Sequence, residues 1–233
     1  MQYVKIKQAI LDQIEAGTLS PQQKLPSERK LAESFNTTRV TLREALSLLE
    51  SEGAIYREDR RGWFIAAPPL SYDPNQLVSF RELTAQQNRV GYTMVISNQS
   101  QMANKAANRL LGLAPFSDMQ RIERVRHLDK RPVAYVTSYL IADVSTHLEN
   151  IDVQHSLTDV LHQEFGVDWQ KIEYRILVGS LQGDIAVALY ATEGTPALVI
   201  EKVLYDTHGS KVRADVEYWR HDVVVLQGQS TFS

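Results

Sequence analysis

Residues 24–65 restrict what this chain can fold into more than any other stretch. They contain Lys24-Leu25-Pro26-Ser27-Glu28-Arg29-Lys30-Leu31-Ala32, then Asn36-Thr37-Thr38-Arg39-Val40-Thr41-Leu42-Arg43-Glu44-Ala45-Leu46, then Arg57-Glu58-Asp59-Arg60-Arg61-Gly62-Trp63-Phe64. A Pro-Ser pair opens a short helix with Ser27 as its N-cap. After the polar break at 36–38, Thr38 caps a second helix that runs to about Glu52, and Gly53 ends it. At 100° per residue, Leu42, Ala45, Leu46 and Leu49 form one apolar stripe. Two short strands, 55–58 and 63–66, follow. They are joined by Asp59-Arg60-Arg61-Gly62, where glycine supplies the positive φ of a tight hairpin. Short helix, break, helix, hairpin is the order of a winged helix-turn-helix.

The second helix carries the chemistry. Arg39, Val40 and Arg43 lie off the apolar stripe near its N-terminus, the end that reaches base edges when such a helix enters a major groove. The arginine fork matches guanine O6 and N7. Thr38 and Thr41 offer hydroxyls to phosphate, and the helix end adds its own N–H groups. Arg60 and Arg61 at the hairpin tip suit a minor groove or phosphates. An isolated Arg-x-x-x-Arg is more simply a solvated helix face, and an isolated Arg-Arg hairpin a surface turn. The order of the three runs is what favours nucleic acid. Net charge adds nothing, because it is −3 overall, and residues 1–66 hold ten Lys and Arg against nine Asp and Glu. Recognition must rest on where the arginines sit, with marked salt dependence.

The Leu-Pro-Ser-Glu-Arg run, the Thr-Arg-x-Thr-Leu-Arg-x-Ala-Leu run and the Gly62-x-Phe64 wing resemble the GntR family of bacterial transcription regulators. The resemblance implies binding of double-stranded operator DNA by a homodimer. It places Arg29, Thr38, Arg39, Thr41, Arg43 and Gly62 at the family's DNA contacts. Val40 falls where members vary, so it would tune base preference.

At 233 residues the chain has room for two domains. It has no cysteine, which excludes disulfides and thiolate zinc sites. There is no 18-residue apolar run and no signal peptide, so no membrane partner and a cytoplasmic location are expected. The six histidines (His127, His147, His155, His162, His208, His221) show no metal-ligand spacing. Neither a Gly-x-Ser-x-Gly elbow nor a Gly-rich phosphate loop occurs. The expectation is a chain without catalytic residues, metal ligands or cofactor, and not an enzyme.

Residues 3–16 read as a helix with Tyr3, Ile6, Ile10 and Ile14 on one face. Three prolines in 67–77 mark a stiff linker between a DNA-binding domain, 1–66, and an effector-binding and dimerisation domain, 78–233. In the second domain, helices are expected at 78–89, 99–111, 156–165 and 184–191. Strands are expected at 92–96, 119–128, 133–140, 172–178, 197–205 and 211–221. Interspersed helices and mainly antiparallel strands make an α+β fold. Four features resemble UTRA, the chorismate-lyase-like sensing domain of the HutC branch of that family. They are the Arg-Val-Arg strand with its turn and Pro132, the Ser156-Leu157 helix start, Gly194-x-Pro196-Ala197-Leu198, and the closing Tyr-Trp-Arg-His-Asp.

Strand alternation turns Ile122, Arg124, Arg126 and Leu128 to one face. Two guanidiniums on one face suit a phosphate or phosphonate between them; pairing with a sheet carboxylate such as Glu123 is the alternative. Ser79-Phe80-Arg81 and Ser156 open two helices, as anion donors or as plain caps. The resemblance implies a phosphate held by Ser79, the Phe80 backbone, Arg81, Arg124, Arg126 and Ser156. Val136 and Arg213 stand where sugar-sensing members carry carboxylates, which favours a small phosphorus oxyanion over a phosphosugar. The runs 59–64 and 217–222 resemble PhnR-type regulators of 2-aminoethylphosphonate use. That resemblance makes Asp215 and Glu217, on one face of the last strand, candidate partners for the ligand's ammonium. The expected function is a repressor controlled by a small phosphonate or phosphate ester; a sugar phosphate or carboxylate metabolite is the alternative effector.

Overall fold

A computed structural model describes residues 1–144 and 148–229. The N-terminal unit packs α1 (Gln2–Glu15), α2 (Glu28–Ser34) and α3 (Arg39–Ser51) around one core. Ser27 Oγ accepts the Lys30 backbone N–H, and Thr38 Oγ1 accepts that of Thr41, which satisfies donors left free at each helix start. Leu42, Ala45, Leu46 and Leu49 are fully buried against Ile6, Ile10 and Leu31. The hairpin of β1 (Ile55–Glu58) and β2 (Gly62–Ile65) is antiparallel and contributes Trp63 and Ile65 to that core. Its tip needs the left-handed backbone that Gly62 supplies at φ 101°.

The proline-containing stretch is anchored and is more than a spacer. Within it, β3 (Leu70–Tyr72) runs parallel to β10 (Val224–Leu226), close to the chain's end. Gln87 holds both backbone groups of Ser71, at 2.8 and 2.9 Å. Sequence pattern could not show this, because the pairing partner lies some 150 residues away.

The second unit is built on six strands: β4 (Gly91–Met102), β5 (Asp118–Leu128), β6 (Arg131–Ile141), β7 (Trp169–Ser180), β8 (Pro196–Asp206) and β9 (Lys211–Arg220). They form one sheet in the order β4-β5-β6-β9-β8-β7, antiparallel at every pairing. The architecture is α+β. Helices α4 (Phe80–Gln86) and α6 (Leu157–Phe165) pack on one face through Phe80, Leu157 and Leu161. Helices α5 (Lys105–Leu111) and α7 (Gly183–Ala188) cover parts of the other. Gly91 lets α4 approach β4: a Cβ there would lie 2.4 Å from Thr84 Oγ1 and 3.0 Å from the Phe80 ring.

One sequence expectation is corrected here. Residues 99–102 are not helical but extend β4, paired with 118–121 of β5. Helix α5 starts only after Asn104, whose side chain accepts the Ala107 N–H at 2.9 Å. Pairing along a whole neighbouring strand outweighs the few tenths of a kcal/mol per residue, roughly, that separate helix propensities.

The two units meet in a polar joint. The Arg131 guanidinium lies over the Tyr56 ring, 3.3 Å from its centroid, and Arg220 lies 5.5 Å from the same ring. Asp222 receives Arg131 through two bonds, 2.6 and 3.0 Å, and stands 3.6 Å from Arg220 Nε. Arg220 Nη2 donates to the Arg57 carbonyl at 2.9 Å, and the Asp59 N–H donates to the Tyr190 carbonyl at 2.8 Å. Burial and the adjacent Arg131 push Arg220 down to about 10. Burial alone would raise Asp222, but Arg131 and Arg220 outweigh it and hold the carboxyl below its usual range. Among the described residues, no helix is long and apolar enough to cross a membrane.

Candidate nucleic-acid interface and anion cavity

The exposed N-terminal end of α3 carries the predicted DNA contacts. Arg39 is exposed and makes no ion pair or side-chain hydrogen bond among the described residues. Val40 beside it is 77% exposed. Thr38 Oγ1 and Thr41 Oγ1 are 3.0 Å apart. Arg43 is oriented by Glu28 Oε2 at 2.7 Å, and Glu28 Oε1 also accepts Trp63 Nε1 at 3.2 Å. One carboxylate thus ties α2, α3 and the wing together. Burial raises Glu28, but the bonds from Arg43 and Trp63 prevail and lower it. Arg29 pairs with Glu33 along α2 at 3.1 Å. At the wing tip, Arg60 is almost wholly exposed, and Arg61 pairs with Glu58 at 2.5 Å beside Gly62.

On the α4–α6 face of the sheet lies a cavity of about 590 Å³. Ser79, Phe80 and Arg81 from the start of α4 line it, as do Tyr92, Thr93 and Met94 of β4, Arg124 and Arg126 of β5, Ser156 and Asp159 at the start of α6, and Arg213 of β9. Both serines serve as N-caps: Ser79 Oγ accepts the Glu82 N–H at 3.1 Å and Ser156 Oγ the Asp159 N–H at 3.2 Å. Their hydroxyl protons remain available to an acceptor.

Arg124 is buried and, among the described residues, has no carboxylate in ion-pair contact. Its Nη2 donates to Ser138 Oγ at 3.1 Å and its Nη1 to the Val153 carbonyl at 3.4 Å. Its Nε is buried with no hydrogen-bond partner among the described residues. Burial first, and Arg213 second, push this guanidinium down to about 9, still cationic at neutral pH. Arg126 stands 3.3 Å from Glu217, with Phe80 and Trp219 rings 5.4 and 5.2 Å away. Arg81 is exposed at the α4 start and has no ion pair among the described residues. Glu123 does not neutralise this pair. It lies on the other sheet face with Arg121, Tyr135 and Ser97.

The role expected for Asp215 and Glu217 is corrected. Both are fully buried, and both line a smaller hollow of about 40 Å³ instead of the cavity. Asp215 is held by Arg213 through Nε (2.9 Å) and Nη2 (2.5 Å) and by Ser138 Oγ at 2.6 Å. Glu217 receives Lys202 at 3.0 Å and Trp219 Nε1 at 2.8 Å. Burial would raise both carboxyls; their cationic neighbours win and lower them. Neither is free for a ligand ammonium. Val136 is buried in the sheet, and Arg213 reaches the cavity wall.

Comparison with known families decides the identity. Residues 2–65 match the model for bacterial regulatory proteins of the gntR family, and residues 86–224 match that for the UTRA domain. The chain belongs to the GntR family. It is a DNA-binding transcriptional regulator of the UTRA type. This GntR-family chain is 32% identical over 217 residues to the uncharacterised HTH-type transcriptional regulator YihL of Escherichia coli K12, covering 91% of each. It is 27% identical over 220 residues to the transcriptional repressor NagR of Bacillus subtilis, covering 94% of this chain and 90% of that one. Its fold matches the crystal structure of PhnF from Mycobacterium smegmatis with a TM-score of 0.68 at 21% identity, over 98% of this chain and 100% of that one.

Sequence reasoning about this GntR-family regulator missed Glu28, Ser138 and Asp159. Glu28 sits inside a motif already singled out, but its bond to Arg43 spans two helices. Ser138 shares the Arg124 face only through the β5–β6 and β6–β9 registers. Of the six histidines, His147 lies outside the described residues. For the DNA face, Arg39→Ala should weaken binding to an in-vitro-selected operator about 5- to 150-fold, the roughly 1–3 kcal/mol of one bidentate base contact. Fluorescence anisotropy at fixed salt measures it; unchanged affinity would remove Arg39 from the interface.

Proposed function

We propose that the regulator is a homodimeric repressor that leaves its operator when a small phosphonate or phosphate ester fills the cavity. The observation that carries this reading is Arg124, a buried cation with an unpartnered Nε and no carboxylate in ion-pair contact. Such a group is costly unless an anion completes it. A phosphorus dianion meets the need, because its several oxygens accept from Arg124, Arg126 and Ser156 together while Arg81 closes from the α4 side. 2-Aminoethylphosphonate is the candidate within this class. Its ammonium would face Asp159, the exposed carboxylate on the cavity wall.

A cavity of about 590 Å³ is larger than a two-carbon phosphonate needs. That volume supports a second reading, a sugar phosphate held by the same cations. For either ligand to act, it must bind the operator-competent and released dimer geometries with different affinity. Titration calorimetry with 2-aminoethylphosphonate, glucosamine 6-phosphate, inorganic phosphate and unphosphorylated glucosamine separates the readings. One or both organic phosphorus anions should bind and weaken an operator gel shift. Failure of every phosphorus anion in the panel to bind would refute the proposal, whether or not the unphosphorylated amino sugar binds.

A further inference from the structure

Glu217 is a fully buried carboxylate outside the cavity wall, and its partners connect two places that must communicate. One is Arg126, which lines the cavity. Another is Tyr72, which belongs to β3 in the stretch that joins the two units. Tyr72 donates its hydroxyl to Glu217 Oε2 at 3.3 Å and accepts from Lys202 Nζ. Lys202 also donates to Glu217 Oε1 at 3.0 Å. The Tyr72 ring packs 5.6 Å from Trp219, whose indole N–H holds Glu217 at 2.8 Å.

We propose that Tyr72 is a positioning residue that reports cavity occupancy to the linker through Glu217 and Arg126. The proposal rests on the reading above that the cavity is the effector site, and it names how that site is read. Among the four side chains on Glu217, Arg126 at 3.3 Å makes only an ion-pair contact, and it alone lines the main cavity. An anion there draws the guanidinium toward itself. Glu217 is wholly buried, so it cannot replace the lost cation with water and must lean on Lys202. Lys202 is shared with the Tyr72 hydroxyl, so its shift toward Glu217 slackens the hold on Tyr72. The linker strand is also held by Gln87, at the end of the same helix whose start lines the cavity. Floor and wall of the cavity therefore converge on β3.

A double-substitution cycle on operator affinity tests this with the full chain and no ligand. Arg126→Met removes the cation from Glu217, as a bound anion would. It should weaken binding to an in-vitro-selected operator by about fivefold or more, the lower end of ordinary allosteric coupling. In the Y72F background, which keeps the ring on Trp219 but removes the hydroxyl, the same change should move affinity by less than about twofold. Equal effects of R126M with and without Y72F, or no effect of R126M alone, would overturn the relay. If no phosphorus anion binds in the calorimetric panel, the effector reading fails instead, and the outcome of the cycle is unaffected.

Discussion

Arg124→Leu should abolish binding of the phosphorus anion while leaving the unliganded chain at least as stable as before. The two effects have opposite signs because Arg124 is poorly provided for without ligand. It is buried, its bond to Val153 is long at 3.4 Å, and its Nε has no partner. Each charge-assisted bond to a bound dianion contributes about 1.5–3 kcal/mol, so losing two reduces affinity roughly 100-fold or more. Without ligand, exchanging a buried, incompletely paired ion for a hydrophobe of similar reach is neutral or stabilising by about 1–4 kcal/mol. Asp215 is not orphaned by the change, since Arg213 and Ser138 hold it. Calorimetry and urea unfolding read the two effects separately. A variant that loses stability by several kcal/mol would make Arg124 a structural residue, and one that still binds would remove it from the site.

The joint between the units gives the second large effect, this time on stability. Asp222→Ala leaves Arg131 and Arg220 side by side at the Tyr56 ring with their shared carboxylate gone. Breaking a buried pair in this way costs about 3–5 kcal/mol, because the remaining charges stay buried and uncompensated. The urea midpoint should fall accordingly. Acid behaviour follows from the lowered carboxyl of Asp222. Its contribution is complete above the unfolded value of about 3.9 and disappears as pH falls through the lower folded value. The D222A variant should therefore lose less stability than the parent on acidification below about pH 4. An unchanged midpoint would mean that the joint is wet and contributes nothing.

Much of the chain could be read locally because the deciding interactions are local. Caps at Ser27, Thr38 and Ser156 each satisfy an N–H three residues on, within the same few residues that a reader sees. The left-handed stops at Gly112 and Gly166 are equally short-range. Alternation in β5 turns Arg124 and Arg126 to one face whatever the neighbours are. Charge compensation is different. Asp215 and Glu217 share one face of their own strand, as alternation required, but that it is the face of those arginines was set by register, and whether they were free for a ligand depended on Arg213, Lys202 and Ser138. Those groups come from the same strand two residues away and from the two strands that flank it, β8 and β6. The extension of β4 through Met102 likewise depended on a partner strand that begins sixteen residues later.

The sequence by itself determined the winged helix-turn-helix, its exposed Arg39 and the pair of arginines on one strand face. Each follows from periodicity, a cap or a turn, interactions whose range is a few residues. Only the tertiary structure decided which carboxylates are already spent, that the linker carries a strand bound to Val224–Leu226, and that Arg131 and Arg220 both lie against Tyr56. The strand pairing joins segments far apart in sequence, and the charge outcomes depend on which buried charges are brought within about 4 Å of one another. Coulomb and desolvation energies at that range are several kcal/mol and cancel or add according to register, which no local pattern specifies.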